Sequence, residues 1–197
     1  MTQRPAGLEA IKSDTAAIGF AMASDDKTGM LLRALAASKP GGHMLELGTG
    51  TGLATAWMLD GMDADARLLT IDNDAPALMV ARKHLRIDRR LEIVCGDAGA
   101  FLEHLEPESF DLIFADTWPG KFDGLDLALA ALKPGGLYVI DDLDPQPNWP
   151  EGHGAKVAAL EADLSRRAGL QFARLGWASG IGIAVRGETA SDKPAVA

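Results

Sequence analysis

Along the chain, short unbroken apolar runs alternate with longer stretches in which apolar residues recur every three or four positions. The short runs read as buried strands: His43–Leu47, Arg67–Asp72, Leu91–Asp97, Phe110–Asp116, Leu137–Asp142, Leu170–Gly176 and Ile181–Arg186. The periodic stretches read as helices: Pro5–Phe20, Lys27–Ala37, Leu53–Leu59, Asp74–Leu85, Ala98–Leu105, Phe122–Leu132 and Gly154–Ala168. Ser24 or Asp25 is a reasonable N-cap for the second helix, and Lys-Pro-Gly-Gly at 39–42 and again at 133–136 stops the helix before it. Such alternation predicts an α/β fold with a doubly wound, mostly parallel seven-stranded sheet and helices on both faces. The last two strands are too close together for a crossover helix, so they pair antiparallel. Two extra helices over residues 1–40 form an N-terminal cap. Residues 1–186 read as one domain, and 187–197 as a frayed polar tail.

Composition narrows the class. At 197 residues, 47% hydrophobic and 24% charged, the chain has the make-up of an ordinary soluble domain, able to bury roughly 70% of its unfolded surface. A formal net charge of −9 argues against nucleic acid or an anionic membrane as partner. The single cysteine, Cys95, excludes an internal disulfide and a thiolate metal site. With no signal-like N-terminus and no apolar run long enough to span a bilayer, a cytoplasmic setting is expected.

The stretch His43–Leu59 holds the most chemistry. A buried strand ends in Gly48-Thr49-Gly50-Thr51-Gly52, and a helix follows. Glycines there let backbone N–H groups approach a ligand at the positive end of a helix dipole. A dinucleotide or another adenosine-bearing cofactor would suit the loop, but the dinucleotide pattern wants a third small residue where Leu53 stands. The remaining strands also close on acids. Glu46, Asp72, Asp97, Asp116, Asp141 and Asp142 fall at the carboxyl ends, which in a parallel sheet form one rim where ligands bind. Asp72, roughly 20 residues past the loop, is placed to accept from ribose hydroxyls, with helix capping by Asp72 or Asp74 as the plain alternative. Asp97 is either an acceptor for an exocyclic adenine amine or another N-cap.

The glycine loop, Asp72, Gly96-Asp97-Ala98, FDLIFAD at 110–116 and KPGGLYVIDD at 133–142 occur in an order that resembles class I S-adenosylmethionine-dependent methyltransferases. Within that class the chain resembles the small catechol/caffeoyl-CoA type O-methyltransferases, and Met22–Gly29 resembles the short element those enzymes place before the glycine loop. The resemblance implies a Rossmann-like fold and S-adenosyl-L-methionine held by Ser24, Glu46, Gly48, Thr49, Gly50, Gly52, Asp72, Asn73, Asp97, Ala98 and Asp116. It implies a small-molecule hydroxyl, catechol-like or otherwise aromatic, as methyl acceptor, and it allows a homodimer. It further implies Mg²⁺ or another divalent cation on Asp116, Asp141 and Asp142. Asp142 stands where the family carries Asn, which keeps a metal-independent O- or N-methyltransferase open as the alternative. Asp116 and Lys121 are the expected catalytic pair, although Pro119-Gly120 is inserted before the lysine and a plain surface lysine fits as well. Trp118 and Trp149 fall on rim loops that could wall an aromatic acceptor. His153 is the one rim histidine, with surface exposure as its plain reading. A nicotinamide-dependent oxidoreductase is the remote alternative; Leu53 and the lack of a Tyr-x-x-x-Lys pair weigh against it.

Overall fold

The computed structural model describes residues 4–147 and 149–187, so the expected tail lies outside the described residues apart from Gly187. The strands are β1 (His43–Leu47), β2 (Arg67–Asp72), β3 (Leu91–Cys95), β4 (Phe110–Ala115), β5 (Leu132–Ile140), β6 (Leu170–Leu175) and β7 (Ile181–Arg186). They form one sheet in the order β3-β2-β1-β4-β5-β7-β6. The first five run parallel, and β7 is antiparallel to both of its neighbours.

Side-chain alternation builds two cores. Met44, Leu112, Phe114 and Val139 face one side, and Leu45, Leu47, Ile113, Tyr138 and Ile140 face the other. The first face is covered by α1 (Leu8–Ala17), α2 (Asp26–Ala37), α3 (Leu53–Gly61) and α4 (Ala75–Leu85). The second is covered by α5 (Ala98–Leu102), α6 (Leu125–Ala131) and α7 (His153–Arg166). Each large side chain buried in this way, such as Phe114 or Leu45, contributes about 1.5–3 kcal/mol. Among the described residues no helix is long and apolar enough to cross a membrane.

Several element ends differ from the sequence expectation. Strand β5 begins at Leu132 rather than Leu137, because the Ala130 and Ala131 carbonyls accept from the Glu108 and Ser109 amides at 2.9 and 2.8 Å. That draws Leu132 opposite Phe110, and a bulge takes up the residues before Leu137 pairs with Leu112. Helix α6 is correspondingly short. The strand also stops at Ile140, before both acids: Asp142 has φ 59°, which turns the chain out of the sheet. Asp97 and Asp74 are N-caps, accepting from Ala100 N at 2.8 Å and Ala77 N at 2.9 Å.

Candidate active site

The chain runs outward from β1 through β2 to β3, then returns to place β4 on the other side of β1. The crevice beyond the carboxyl ends of β1 and β4 is therefore the switch point where ligands bind in such sheets. The glycine loop fills one side of it. Gly48 has φ 100°, and a Cβ there would lie 2.8 Å from the Asp116 carbonyl oxygen, so only glycine lets the loop pass this close to the end of β4. Gly50 N donates to Asp72 Oδ2 at 2.7 Å, while Asp72 Oδ1 accepts from Asp74 N at 2.8 Å. Asp72 thus sits at the mouth of the loop, half-buried, with Asn73 exposed beside it and Ala98 buried at the start of α5. Phe20 lies over Gly50, and Thr15 Oγ1 is 2.8 Å from Thr51 Oγ1, so α1 and the turn after it roof the loop.

Glu46, expected among the cofactor contacts, lies beneath the loop instead. It is fully buried, and its Oε2 accepts from Thr55 at 2.5 Å and Thr70 at 2.6 Å. Strand alternation puts it on the face covered by α1–α4, where a hydrophobic residue would be ordinary. Burial, only partly offset by the two threonine hydroxyls, pushes its carboxyl up to about 7. Among the described residues its Oε1 has no hydrogen-bond partner. Thr49 is likewise turned inward, 2.6 Å from Thr70 Oγ1.

The other side of the crevice is made by β4 and β5. The parallel ladder continues one residue past each strand, Asp116 N donating to Leu47 O at 2.8 Å and Asp141 N to Ala115 O at 3.2 Å, which sets the two acids side by side. Ser24 Oγ donates to Asp116 Oδ2 at 2.9 Å, and Asp25, not Ser24, caps α2. Asp141 is buried; its Oδ1 accepts from the Ser179 hydroxyl and from Asp142 N at 2.8 Å. Lys121 is buried as well, its Nζ donating to Asp141 O at 3.2 Å. The surface-lysine reading therefore fails. Burial raises the Asp116 and Asp141 carboxyls; neighbouring acid charge raises them further, and Lys121 opposes the shift.

The three acids do not fit the expected divalent cation. Among the described residues no group of three His, Cys, Asp or Glu side chains is arranged to hold a metal. Asp141 already spends one oxygen on two donors, and the pocket holds an ammonium.

Beside these acids lies a ring cluster. His153 opens α7 and is buried, 4.5 Å from Trp149, 5.1 Å from Phe122 and 5.8 Å from Trp118, centroid to centroid. Burial, with Lys121 and Lys156 nearby, lowers its basicity, and among the described residues its buried Nδ1 has no partner. Lys156 Nζ stands 4.4 Å over the Trp118 ring. Lys121 and Lys156 also line a groove of about 590 Å³ between residues 121–127 and α7. Ser179, Phe122 and Lys156 carry no motif in the sequence. Only the turn-forming Ser179-Gly180 pair hinted at a rim residue there.

Residues 45–143 match the methyltransferase domain family. The chain belongs to that family. A candidate O-methyltransferase of Mycobacterium avium is 33% identical over 139 residues, 67% of this chain and 63% of the relative. The alignment thus spans a little under two thirds of the curated relative's length. Among solved structures, the O-methyltransferase TomG of Streptomyces achromogenes, in complex with S-adenosylmethionine, superposes with a TM-score of 0.81 at 21% identity, covering 94% of this chain and 92% of its own. An O-methyltransferase of Bacillus cereus, in complex with S-adenosylhomocysteine, gives 0.81 at 21%, covering 94% and 93%. These two share the fold of this chain.

Proposed function

We propose that the protein is an S-adenosylmethionine-dependent O-methyltransferase acting on a small aromatic hydroxyl compound. The observation that carries this is the coupling of the glycine loop to Asp72 at the switch point, through the Gly50 amide. Family membership and the cofactors bound by TomG and the Bacillus cereus enzyme support it. The loop from Gly48 to Gly52 would admit the cofactor where a side chain would block it, and Asp72 would accept from the ribose hydroxyls. Asp97 and Asn73 are the nearby polar groups for the base, and Ser24 and Asp116 face the methionine end.

When bound, the cofactor would supply an electrophilic methyl carbon on a sulfonium sulfur, so that an O–C bond could form in line as the C–S bond breaks and its electron pair leaves with the neutral thioether. With so good a leaving group, alignment is the main task, and proximity and orientation supply roughly 7–11 kcal/mol. Trp118, Trp149 and Phe122 wall the acceptor side with flat apolar surface beside the acids. Asp116, whose proton affinity is raised by burial and by Asp141, takes the hydroxyl proton. Lys121 stabilises the developing oxygen charge.

Calorimetry with S-adenosylhomocysteine and NAD side by side tests the cofactor; binding of the first and not the second is expected. Radiolabelled methyl transfer to catechol-like phenols tests the acceptor class, and a protein that binds neither nucleoside ends the proposal.

A further inference from the structure

Three carboxylates and one ammonium share the end of β4 and β5, and the path of the chain explains why the ammonium is there. Gly120, the second residue of the Pro-Gly insertion, has φ 90°. A Cβ on it would lie 2.5 Å from Leu47 Cδ1 and 3.1 Å from Tyr138 Oη. The backbone therefore runs hard against the sheet, and Tyr138 donates its hydroxyl to the Gly120 carbonyl. The amides of Lys121 and Phe122 then both donate to Trp118 O, at 3.0 and 2.9 Å. This tight turn points Lys121 inward and leaves it 6% exposed. The insertion buries the lysine rather than displacing it.

We propose that the Lys121 ammonium is the resident cation of the Asp116–Asp141–Asp142 cluster, standing in place of a divalent ion, so that methyl transfer in this protein needs no metal. The proposal rests on the methyltransferase reading above. Magnesium takes six oxygens in near-ideal octahedral geometry. Here Asp141 Oδ1 is committed to the Ser179 hydroxyl and the Asp142 amide, and Asp116 Oδ2 to Ser24. Asp142 leaves the strand with φ 59°. A divalent ion would have to displace those donors and also tolerate a fixed positive charge beside it, in a site where water screens little. The ammonium meets the same electrostatic need with one charge, hydrogen-bonded to the Asp141 carbonyl. It is also the group positioned to balance charge on an acceptor oxygen.

The test titrates Mn²⁺ into protein saturated with S-adenosylhomocysteine and reads the bound ion by electron paramagnetic resonance. Wild type is expected to bind Mn²⁺ no tighter than millimolar, and EDTA should leave its methyl transfer unchanged. Lys121→Met, which keeps the stem and removes the charge, should gain a site at least tenfold tighter, lost again on adding Asp141→Asn. A micromolar site in wild type that disappears in Asp116→Asn overturns the proposal, as does a Lys121→Met protein with no gain. Should Lys121→Met fail to fold, wild type and Lys121→Arg decide alone: both are expected to stay metal-free, and a micromolar site in either overturns it. Calorimetry with S-adenosylhomocysteine comes first: no binding there defeats the cofactor reading, whereas normal binding with tight Mn²⁺ defeats only the role of Lys121.

Discussion

On the β1–β2 side of the rim, most partners lie within one βαβ unit, Gly50 with Asp72, Glu46 with Thr55 and Thr70, Thr49 with Thr70, and Thr15 of α1 reaches in from farther off, to Thr51. On the β4–β5 side, Ser24 reaches Asp116 from 92 residues away, and Ser179 reaches Asp141 across 38. The first half presents backbone amides and a half-open carboxylate; the second sequesters charge and balances it internally. On the proposed reading, a nucleoside would meet a surface prepared mostly within one βαβ unit, and a hydroxyl would meet a pocket that exists only when distant parts of the chain have docked.

The comparison can be broken at four places. The largest expected effect is beneath the nucleoside half. With a folded value of about 7 against 4.5 unfolded, the stabilisation from protonated Glu46 is fully present below pH 4.5 and is lost as pH rises through 7. At 1.36 kcal/mol per unit, that is on the order of 3 kcal/mol. In urea titrations between pH 4.5 and 8, Glu46→Gln should lack this decline; equal slopes in the two proteins would show that the carboxyl does not titrate there.

Next is Asp72→Ala, which removes charge-assisted hydrogen bonds worth about 1.5–3 kcal/mol. Affinity for S-adenosylhomocysteine should fall roughly 10- to 100-fold by calorimetry. An unchanged affinity would move the ribose elsewhere. Ser179→Ala acts on the other half, costing about 1 kcal/mol of stability at neutral pH. Its nucleoside affinity should stay within about twofold, since the two halves are assembled separately. A tenfold loss would mean they are coupled. The smallest effect belongs to Lys156→Ala, an exposed cation over Trp118, at about 0.5–1 kcal/mol in the urea midpoint.

The same division explains what could be read from residues alone. Strands β1, β2 and β7 and the nearness of the glycine loop to Asp72 were legible because pattern and partner lie within one βαβ unit or one short run. The rim acids were legible as a row, but the state of each was not. Whether Lys121 is buried depends on Tyr138 and Leu47 meeting Gly120, and whether Asp141 is committed depends on a hairpin tip with no motif of its own. The burial of Glu46 was hidden for a simpler reason. Sequence locates it at a strand end, while the alternation of faces, which turns it into the core, depends on which helices cover which side. The start of β5 was missed because pairing of residues 108 and 109 with the carbonyls of 130 and 131 overrides the helix-stop reading of Lys133–Gly136.

Strand β7 reverses direction relative to every strand beside it, so the hairpin joining it to β6 returns to the carboxyl pole instead of the opposite one. Orientation thereby serves as an address. A serine encoded near the end of the chain is delivered to the same carboxylate neighbourhood as a lysine and an aspartate encoded in its middle. The hydroxyl beside Asp141 is therefore held in place by the pairing of β7 with β5 and β6, not by anything near it in the chain.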